Sequence, residues 1–300
     1  MTSLDIFLQL IPVTFATSLV YGYIAVAILL PFRLLGFPDL TSEGAFPLGG
    51  AACAAALIAG ANPILATACA IVAGALAGSA TALIHLKFRI NTLLAGILVM
   101  TALYSINLRI LSKANVTLFD LPSVFSLISP RLLTSDLGKV AFFGGLFAIV
   151  LAGLWWFLHT EKGTALRAVG ANPGLAPALG ISVWTWTITG LAIANGLAAL
   201  AGALLVQQQG FADIGMGFGV LVSGLAALVI GETLLGRTSI ALILIGPLVG
   251  AIAYYQAVSL GLALGLHPSD LKLVTALLVL VALAVPTLRS PDASREQLRA

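Results

Sequence analysis

Long runs of Leu, Ala, Ile and Val recur along the whole chain, separated by short breaks that are polar or contain Pro and Gly. A helix needs about 20 such residues to cross a bilayer core, and its backbone groups are then satisfied internally. The pattern therefore predicts an all-α, polytopic transmembrane bundle of about nine spans, within a range of about eight to ten. The predicted spans cover residues 8–31, 42–60, 63–86, 91–111, 138–158, 183–206, 215–235, 239–262 and 270–288. We expect residues 1–288 to form a single membrane domain and 289–300 to form a cytoplasmic tail.

One region of the pattern, residues 36–50, is unsuited to a continuous lipid-facing helix. It contains Pro38, Asp39, Glu43 and Pro47. Irregular backbone is tolerated at membrane depth only where protein or a water-filled cavity surrounds it, and broken helices line the substrate route of many transporters. We therefore expect a broken helix near residues 36–50.

A short internal similarity points to the same region. The run GFPDL at 36–40 resembles GFADI at 210–214, and Gly50 aligns with Gly224 at the same spacing. The predicted spans place the two copies on opposite faces of the membrane, as an inverted repeat would. Chance similarity in a chain rich in Gly, Ala and Leu is the alternative.

Composition excludes a water-soluble domain. Hydrophobic residues make up 60% of the chain and charged residues only 8%, with a mean hydropathy of +1.11, whereas globular proteins carry about 25% charged residues. The net charge of +3 is spread along the chain, which gives no support for nucleic-acid binding. Short cytoplasmic loops are enriched in Lys and Arg, and placing the 159–181 loop in the cytoplasm puts most of the 14 basic residues on that side.

Several kinds of chemistry are missing from the sequence. No GxxxxGK[ST] motif for nucleotide phosphates and no GxSxG motif occurs, and His85, His159 and His267 have no metal-ligand spacing. We therefore expect no enzyme activity, no metal site and no cofactor in this chain. Acidic residues are scarce within the spans, which weakens the alternative of an ion-coupled transporter.

A few polar residues in apolar surroundings are candidates for lining a solute pathway. They are Asp39, Thr41, Glu43, Asn195 and Ser223. Asn195 shares a predicted helical face with Thr187, Leu191, Ala199 and Gly202. Hydrogen bonding between helices is the alternative role for such residues, and close packing is the role expected of the small residues in Gly74-xxx-Gly78 and Ala198-xxx-Gly202.

The loop GTALRAVGANPGLAPALGIS, residues 163–182, is amphipathic and punctuated by Gly and Pro. A short surface helix formed there could dock on a cytoplasmic partner, and a solvated loop is the alternative. The loop resembles the coupling segment of the permeases that serve branched-chain amino-acid and ribose-type ABC importers. The residues that we expect to couple to an ATPase on this basis are Gly163, Leu166, Arg167, Gly170, Asn172, Pro173, Leu175, Leu179 and Gly180.

The resemblance extends over nearly the whole chain. Phe37–Thr41, followed by Gly44, Phe46 and Leu48–Gly49, is similar to the subgroup associated with binding proteins for aromatic amino acids. The resemblance implies a bacterial inner-membrane importer in which two permease copies, a cytoplasmic ATPase dimer that binds ATP and Mg²⁺, and an extracytoplasmic binding protein cooperate. The solute would be a small organic molecule such as an amino acid. A secondary transporter or passive channel and an intramembrane enzyme are the competing interpretations.

Overall fold

The computed structural model of the chain describes residues 3–128 and 136–267, together with Asp270, Leu273, Ala276, Leu277 and Leu280. Ten α-helices lie in this described part: α1 Ser3–Leu29, α2 Thr41–Ile58, α3 Pro63–Phe88, α4 Thr92–Leu111, α5 Val124–Ile128, α6 Asp136–His159, α7 Glu161–Ala171, α8 Val183–Gln209, α9 Val220–Leu235 and α10 Ile240–Ala263. A π-helical turn, Leu30–Leu34, extends α1, and 3₁₀ turns cover Ala176–Leu179 and Ile214–Gly217. The short strands β1 Asn115–Thr117 and β2 Phe211–Asp213 pair antiparallel.

Seven helical segments are long and apolar enough to cross a bilayer. They are Phe7–Leu34, Pro63–Phe88, Thr92–Leu111, Leu137–His159, Val183–Gln209, Ile214–Leu235 and Ile240–Ala263. The span predicted at 42–60 corresponds to α2, which has 18 residues and a polar first turn. Most of the span predicted at 270–288 and all of the tail at 289–300 lie outside the described residues. The all-α, polytopic class is confirmed.

The break predicted near residues 36–50 is present but shorter than expected. The chain leaves the π-helical turn after Leu34 and re-enters a helix at Thr41, and α2 then continues through Pro47. The expectation that Pro47 interrupts the helix is therefore wrong. Proline removes one helical hydrogen bond, the one that would reach the carbonyl of Glu43, and the backbone of Gly217 packs closely against that carbonyl. Proline is tolerated within membrane helices.

The similarity between residues 36–40 and 210–214 reflects a repeated fold. Helices α1, α2 and α3 correspond to α8, α9 and α10, and the packing of α3 on α8 has its counterpart in the packing of α10 on α1. Leu35, at the end of α1, packs near Gly190, early in α8. Tyr21, earlier in α1, stacks on Phe46, whose carbonyl packs against Gly202, later in α8. Helices α1 and α8 therefore run antiparallel, so the repeat is inverted.

Helix α8 defines two ends of the bundle. It has 27 residues and is preceded by α7 and followed by β2. At 1.5 Å per residue it spans about 40 Å, enough to cross a bilayer. We call the end where α7 lies the α7 end, and the end where β1 and β2 pair the sheet end.

Candidate functional site

The first break begins at the α7 end and leads into the bundle. Gly36 takes a left-handed conformation, with φ of 61°, which side chains disfavour. Residues 37–40 then extend inward, and Asp39 meets Asn195, which lies near the middle of α8. Helix α2 consequently starts inside the bundle rather than at its surface.

Asp39 is the centre of a buried polar network. Its side chain is fully buried, and its Oδ1 atom accepts a hydrogen bond from the Thr41 backbone N–H at 2.8 Å. Its Oδ2 atom accepts from Asn195 Nδ2, also at 2.8 Å. The hydroxyl oxygens of Thr41 and Thr81 lie 2.7 Å apart. The network thus fixes the start of α2 against α8 and α3.

The face of α8 that contains Asn195 is buried, as its spacing predicts. Thr187, Leu191, Ala199 and Gly202 are all buried with it. Gly74 of α3 packs against the Asn195 carbonyl, and Gly78 packs against the Leu191 carbonyl. The predicted close packing at these small residues is confirmed, because any added side chain there would overlap the backbone of α8.

The second break enters from the sheet end and repeats the local structure of the first. Gly210 ends α8 with φ of 76°, and Asp213 Oδ1 accepts from the Gly215 backbone N–H at 2.6 Å. This is the same two-residue turn that Asp39 makes with Thr41. Here the aspartate is half-buried and its Oδ2 atom also accepts from Asn115 Nδ2 of β1 at 3.2 Å.

The two breaks meet through one hydrogen bond. Glu43, in the first turn of α2, accepts at Oε1 from the backbone N–H of Gly219, which precedes α9, at 2.8 Å. Gly219 has φ of 86°, a left-handed conformation that side chains disfavour, and its N–H points to the Glu43 carboxylate in this conformation. Two helix beginnings, one from each repeat, are therefore joined inside the membrane-spanning bundle.

Two cavities lie on either side of this junction, and Glu43 and Phe218 line both. One cavity has a volume of about 270 Å³ and is bounded by α2, α4 and the 3₁₀ turn before α9. The other has a volume of about 600 Å³ and is bounded by α1, α9 and α10, and Ser223 lines it. Of the five predicted pathway residues, Glu43 and Ser223 face a cavity, whereas Asp39, Thr41 and Asn195 form the buried network beside it.

The aromatic residues of the larger cavity were not among the sequence-based candidates. Tyr21, Phe218, Tyr254 and Tyr255 line it, but in the sequence they sit in apolar spans where a ring is an ordinary packing residue. Their one available signal was the phenolic hydroxyl of the three tyrosines, since a buried Tyr usually requires a hydrogen-bond partner.

The segment with the coupling resemblance forms α7 and the 3₁₀ turn that follows. Gly163 and Leu166 are buried and hold α7 against the rest of the chain, and Arg167 and Gly170 are half-buried. The remaining members of the set are exposed: Asn172, Pro173, Leu175, Leu179 and Gly180. The Asn172 side chain accepts from the backbone N–H groups of Gly174 and Leu175 at 3.1 and 3.0 Å, which shapes this exposed turn.

Helix α7 contacts the beginning of the first break directly. Gly170 packs against the carbonyl of Leu34 and the backbone of Leu35, so closely that a Cβ atom would overlap them. A displacement of α7 would therefore move the backbone that leads to Asp39.

A group of three charges also joins the repeats at the α7 end. Glu232, at the end of α9, accepts from Arg33 Nε at 2.9 Å and Arg33 Nη2 at 2.8 Å, and from Arg237 Nη2 at 2.6 Å. Its side chain is 5% exposed, whereas those of Arg33 and Arg237 are 38% and 54% exposed. The described ranges contain no group of three His, Cys, Asp or Glu side chains that could hold a metal ion.

The seven spans, the inverted repeat and the two breaks that meet inside the bundle define a multi-pass membrane transport protein. The family model described as "Branched-chain amino acid transport system / permease component" matches residues 11–284, and the chain belongs to this family.

Individual relatives agree with this family. The chain is 38% identical over 272 residues to the tyrosine transport system permease protein of Clostridioides difficile, an alignment that covers 90% of this chain and 89% of the relative. It is 27% identical over 239 residues to the ribose import permease protein RbsC of Escherichia coli, covering 73% and 72%. It is 33% identical over 190 residues to the autoinducer 2 import system permease protein LsrC of an Enterobacter species, covering 62% and 52%. No solved structure matches the chain.

The chain is thus the permease of an ABC-type transport system for small solutes, in the bacterial inner membrane. It is a transport subunit rather than an enzyme, and ATP hydrolysis belongs to a separate subunit. An ATPase and a solute-binding protein are its partners. The family places the chain apart from the secondary-transporter, channel and enzyme alternatives.

Proposed function

We propose that this chain forms, as a homodimer, the pathway of an importer that moves an amino acid across the inner membrane. The α7 end faces the cytoplasm, where the ATPase dimer binds ATP and Mg²⁺, and the binding protein delivers the solute at the sheet end. The tyrosine transport permease of Clostridioides difficile, 38% identical, supports the amino-acid assignment.

The observation that carries this proposal is the contact between Gly170 and the backbone of Leu34 and Leu35. The exposed turn that includes Pro173, Leu175 and Leu179 offers an apolar surface to an ATPase, as a docking helix does in other complexes. A force applied there reaches the first break through Gly170. The break in turn leads to the Asp39–Asn195 pair and to Glu43 beside both cavities.

A mechanism follows from this geometry. ATP binding closes the partner ATPases and displaces the loop 159–181, and the first break shifts relative to α8. Because Glu43 ties α2 to Gly219 at 2.8 Å, the shift is transmitted to the second break, which leads to the sheet end. The two breaks thus alternate between two arrangements, one open to each side.

Reconstitution tests the proposal. The permease, its ATPase and its binding protein are placed in proteoliposomes, and uptake of radiolabelled L-phenylalanine, L-tyrosine and L-leucine is measured. We expect uptake of at least one of them to require ATP and the ATPase and to persist with a protonophore. Uptake by the permease alone, or uptake abolished by the protonophore, would contradict the proposal.

The coupling residues are tested in the same assay with Arg167→Glu and Gly170→Leu. We expect both variants to assemble with reduced uptake. Normal uptake by both would show that residues 163–180 do not couple ATP hydrolysis to transport.

A further inference from the structure

The larger cavity has the composition of a small-molecule site. Its volume of about 600 Å³ lies in the range of about 300–1,000 Å³ that is usual for ligand pockets. Its lining includes four aromatic residues, one glutamate and one serine: Tyr21, Phe218, Tyr254, Tyr255, Glu43 and Ser223. An apolar wall with a few polar groups that converge on it is typical of a cavity that binds and orients a ligand.

Aromatic rings form one wall of the cavity. The rings of Tyr21 and Tyr255 stack with centroids 4.6 Å apart and an interplanar angle of 22°. Tyr254 meets Tyr255 edge to face at 4.9 Å and 88°. These three rings come from α1 and α10, the outer members of the two repeats. Further rings stack favourably on such a surface, and cations are attracted to its faces.

Glu43 places a negative charge at another wall. Within the described ranges, its carboxylate has one hydrogen bond, from the Gly219 N–H to Oε1 at 2.8 Å, and forms no ion pair. Carboxylates inside membrane bundles are costly and are usually paired or functional. The contact with Gly219 holds the carboxylate in place and leaves Oε2 to accept from a bound cation.

A hydroxyl pair completes the set. The Tyr255 hydroxyl donates to Ser223 Oγ at 3.5 Å, and Ser223 Oγ donates to the Val220 carbonyl at 3.0 Å. Both hydroxyls lie on cavity-lining residues and can exchange these long bonds for bonds to a polar ligand group.

We propose that this cavity is a solute site selective for molecules that carry both an aromatic ring and an ammonium group. The ring lies against Tyr21 and Tyr255, and the ammonium group donates to Glu43. The inference rests on the proposed function, because it assigns the cavity to the solute route, and it narrows the solute from amino acids in general to aromatic amines and aromatic amino acids.

The test uses the permease–ATPase complex in nanodiscs without the binding protein, so that the selectivity measured is the permease's own. The complex is photolabelled with 4-azido-L-phenylalanine, and labelled peptides are identified by mass spectrometry. Competitors are L-phenylalanine, phenethylamine, 3-phenylpropionate, which lacks the ammonium group, and L-leucine, which lacks the ring. We expect labelling near Tyr254 and Val258, with 3-phenylpropionate and L-leucine competing about tenfold less strongly than the first two.

Variants then assign the selectivity to residues. Glu43→Gln keeps the acceptor for Gly219 and removes the charge. We therefore expect phenethylamine to compete with the photolabel only as strongly as 3-phenylpropionate does. Tyr255→Leu removes the stacked ring. We therefore expect L-phenylalanine to compete with the photolabel only as strongly as L-leucine does. Glu161→Gln and Phe88→Leu, both at exposed positions away from the cavity, serve as matched controls and should keep wild-type competition.

The outcomes separate this inference from the proposed function. Suppose that ATP-dependent uptake is present, but all four competitors act equally or the two cavity variants keep wild-type selectivity. The proposed site for aromatic ammonium compounds is then wrong, whereas the proposed importer function is supported. If uptake needs no ATPase but the competitors act in the expected order, the proposed site is supported and the proposed ATP-driven importer function is contradicted. Size-exclusion profiles check that the variants fold, and should Glu43→Gln not fold, the wild-type competition series decides alone.

Discussion

The two breaks have the same local structure but contact different parts of the molecule. Each has a left-handed glycine, an extended run and an aspartate whose carboxylate accepts from the backbone two residues later. The first break contacts α7, and its Asp39 is fully buried against Asn195. The second contacts β1, and its Asp213 is half-buried beside Asn115. The inverted repeat thus supplies one break for each end of the bundle, and only the first is joined to the segment that we assign to the ATPase.

We expect the largest effect on uptake when the contact between α7 and the first break is disrupted. Gly170→Leu places a side chain into the backbone of Leu34 and Leu35, so α7 must move away from the break. We expect ATP-dependent uptake in proteoliposomes to fall about tenfold or more, the equivalent of about 1.4 kcal/mol. Gly153→Leu is the matched control, because a Cβ at Gly153 in α6 meets no atom within 4 Å. Equal uptake by Gly170→Leu and Gly153→Leu would show that the contact of the first break with α7 has no special role in transport.

Alanine substitutions of Asp39 and Asp213 test whether the more deeply buried carboxylate contributes more to stability. Asp39→Ala removes the buried acceptor of the Thr41 N–H and one of the two acceptors of Asn195 Nδ2, whose bond to the Leu191 carbonyl at 3.0 Å remains. Each unsatisfied buried group costs about 1–3 kcal/mol. Asp213→Ala removes a turn bond where solvent is nearer, at about 1 kcal/mol. Thermal unfolding of the purified permease in detergent should therefore show a much larger loss of melting temperature for Asp39→Ala. A larger loss for Asp213→Ala would contradict the assigned roles.

The charges at the α7 end give a smaller effect. Glu232→Gln weakens the pair with Arg33, which joins the end of α1 to the end of α9, and the local pair with Arg237. Since both arginines are more than a third exposed, solvent compensates much of the loss, and we expect about 1 kcal/mol or less. The decrease should shrink further in high salt, because exposed pairs are screened. A decrease that does not depend on salt would show that the glutamate acts through packing rather than charge.

The smallest effect concerns the Thr41–Thr81 hydrogen bond between α2 and α3. A double-mutant cycle with Thr41→Val and Thr81→Val should give a coupling of about 0.6 kcal/mol, the average for such bonds within membrane proteins. Unfolding in detergent supplies the four free energies. A coupling of zero would show that the short distance of 2.7 Å between the hydroxyls adds no stability to the start of α2.

The sequence predicted some features well because they depend on local patterns. Apolar runs predicted about nine spans, and seven of these correspond to the helical segments that are long and apolar enough to cross a bilayer. The spacing of Leu191, Asn195 and Ala199 predicted the buried face of α8. Small residues at Gly74 and Gly78 predicted close packing, although the partner helix could not be inferred from them.

Other features depend on contacts between residues far apart in the chain. Asp39 and Asn195 were selected separately, and nothing in the sequence showed that they bond across 156 positions. The cavity rings, including Tyr21 and Tyr255, were missed because an aromatic residue in an apolar span looks the same whether it packs or binds. The first break is shorter than the sequence predicts, because α2 continues through Pro47.

We propose that the ATPase engages the α7 end of the bundle and not the sheet end. Cysteine crosslinking in membranes that contain the whole importer distinguishes the two ends, in a Cys69→Ala background because Cys69 is exposed. Leu179→Cys reports on the α7 end and Phe119→Cys on the sheet end, where both native side chains are exposed, at 66% and 72%. We expect a maleimide crosslink to the ATPase from Leu179→Cys and none from Phe119→Cys. A crosslink from Phe119→Cys alone would show that the ATPase binds at the sheet end.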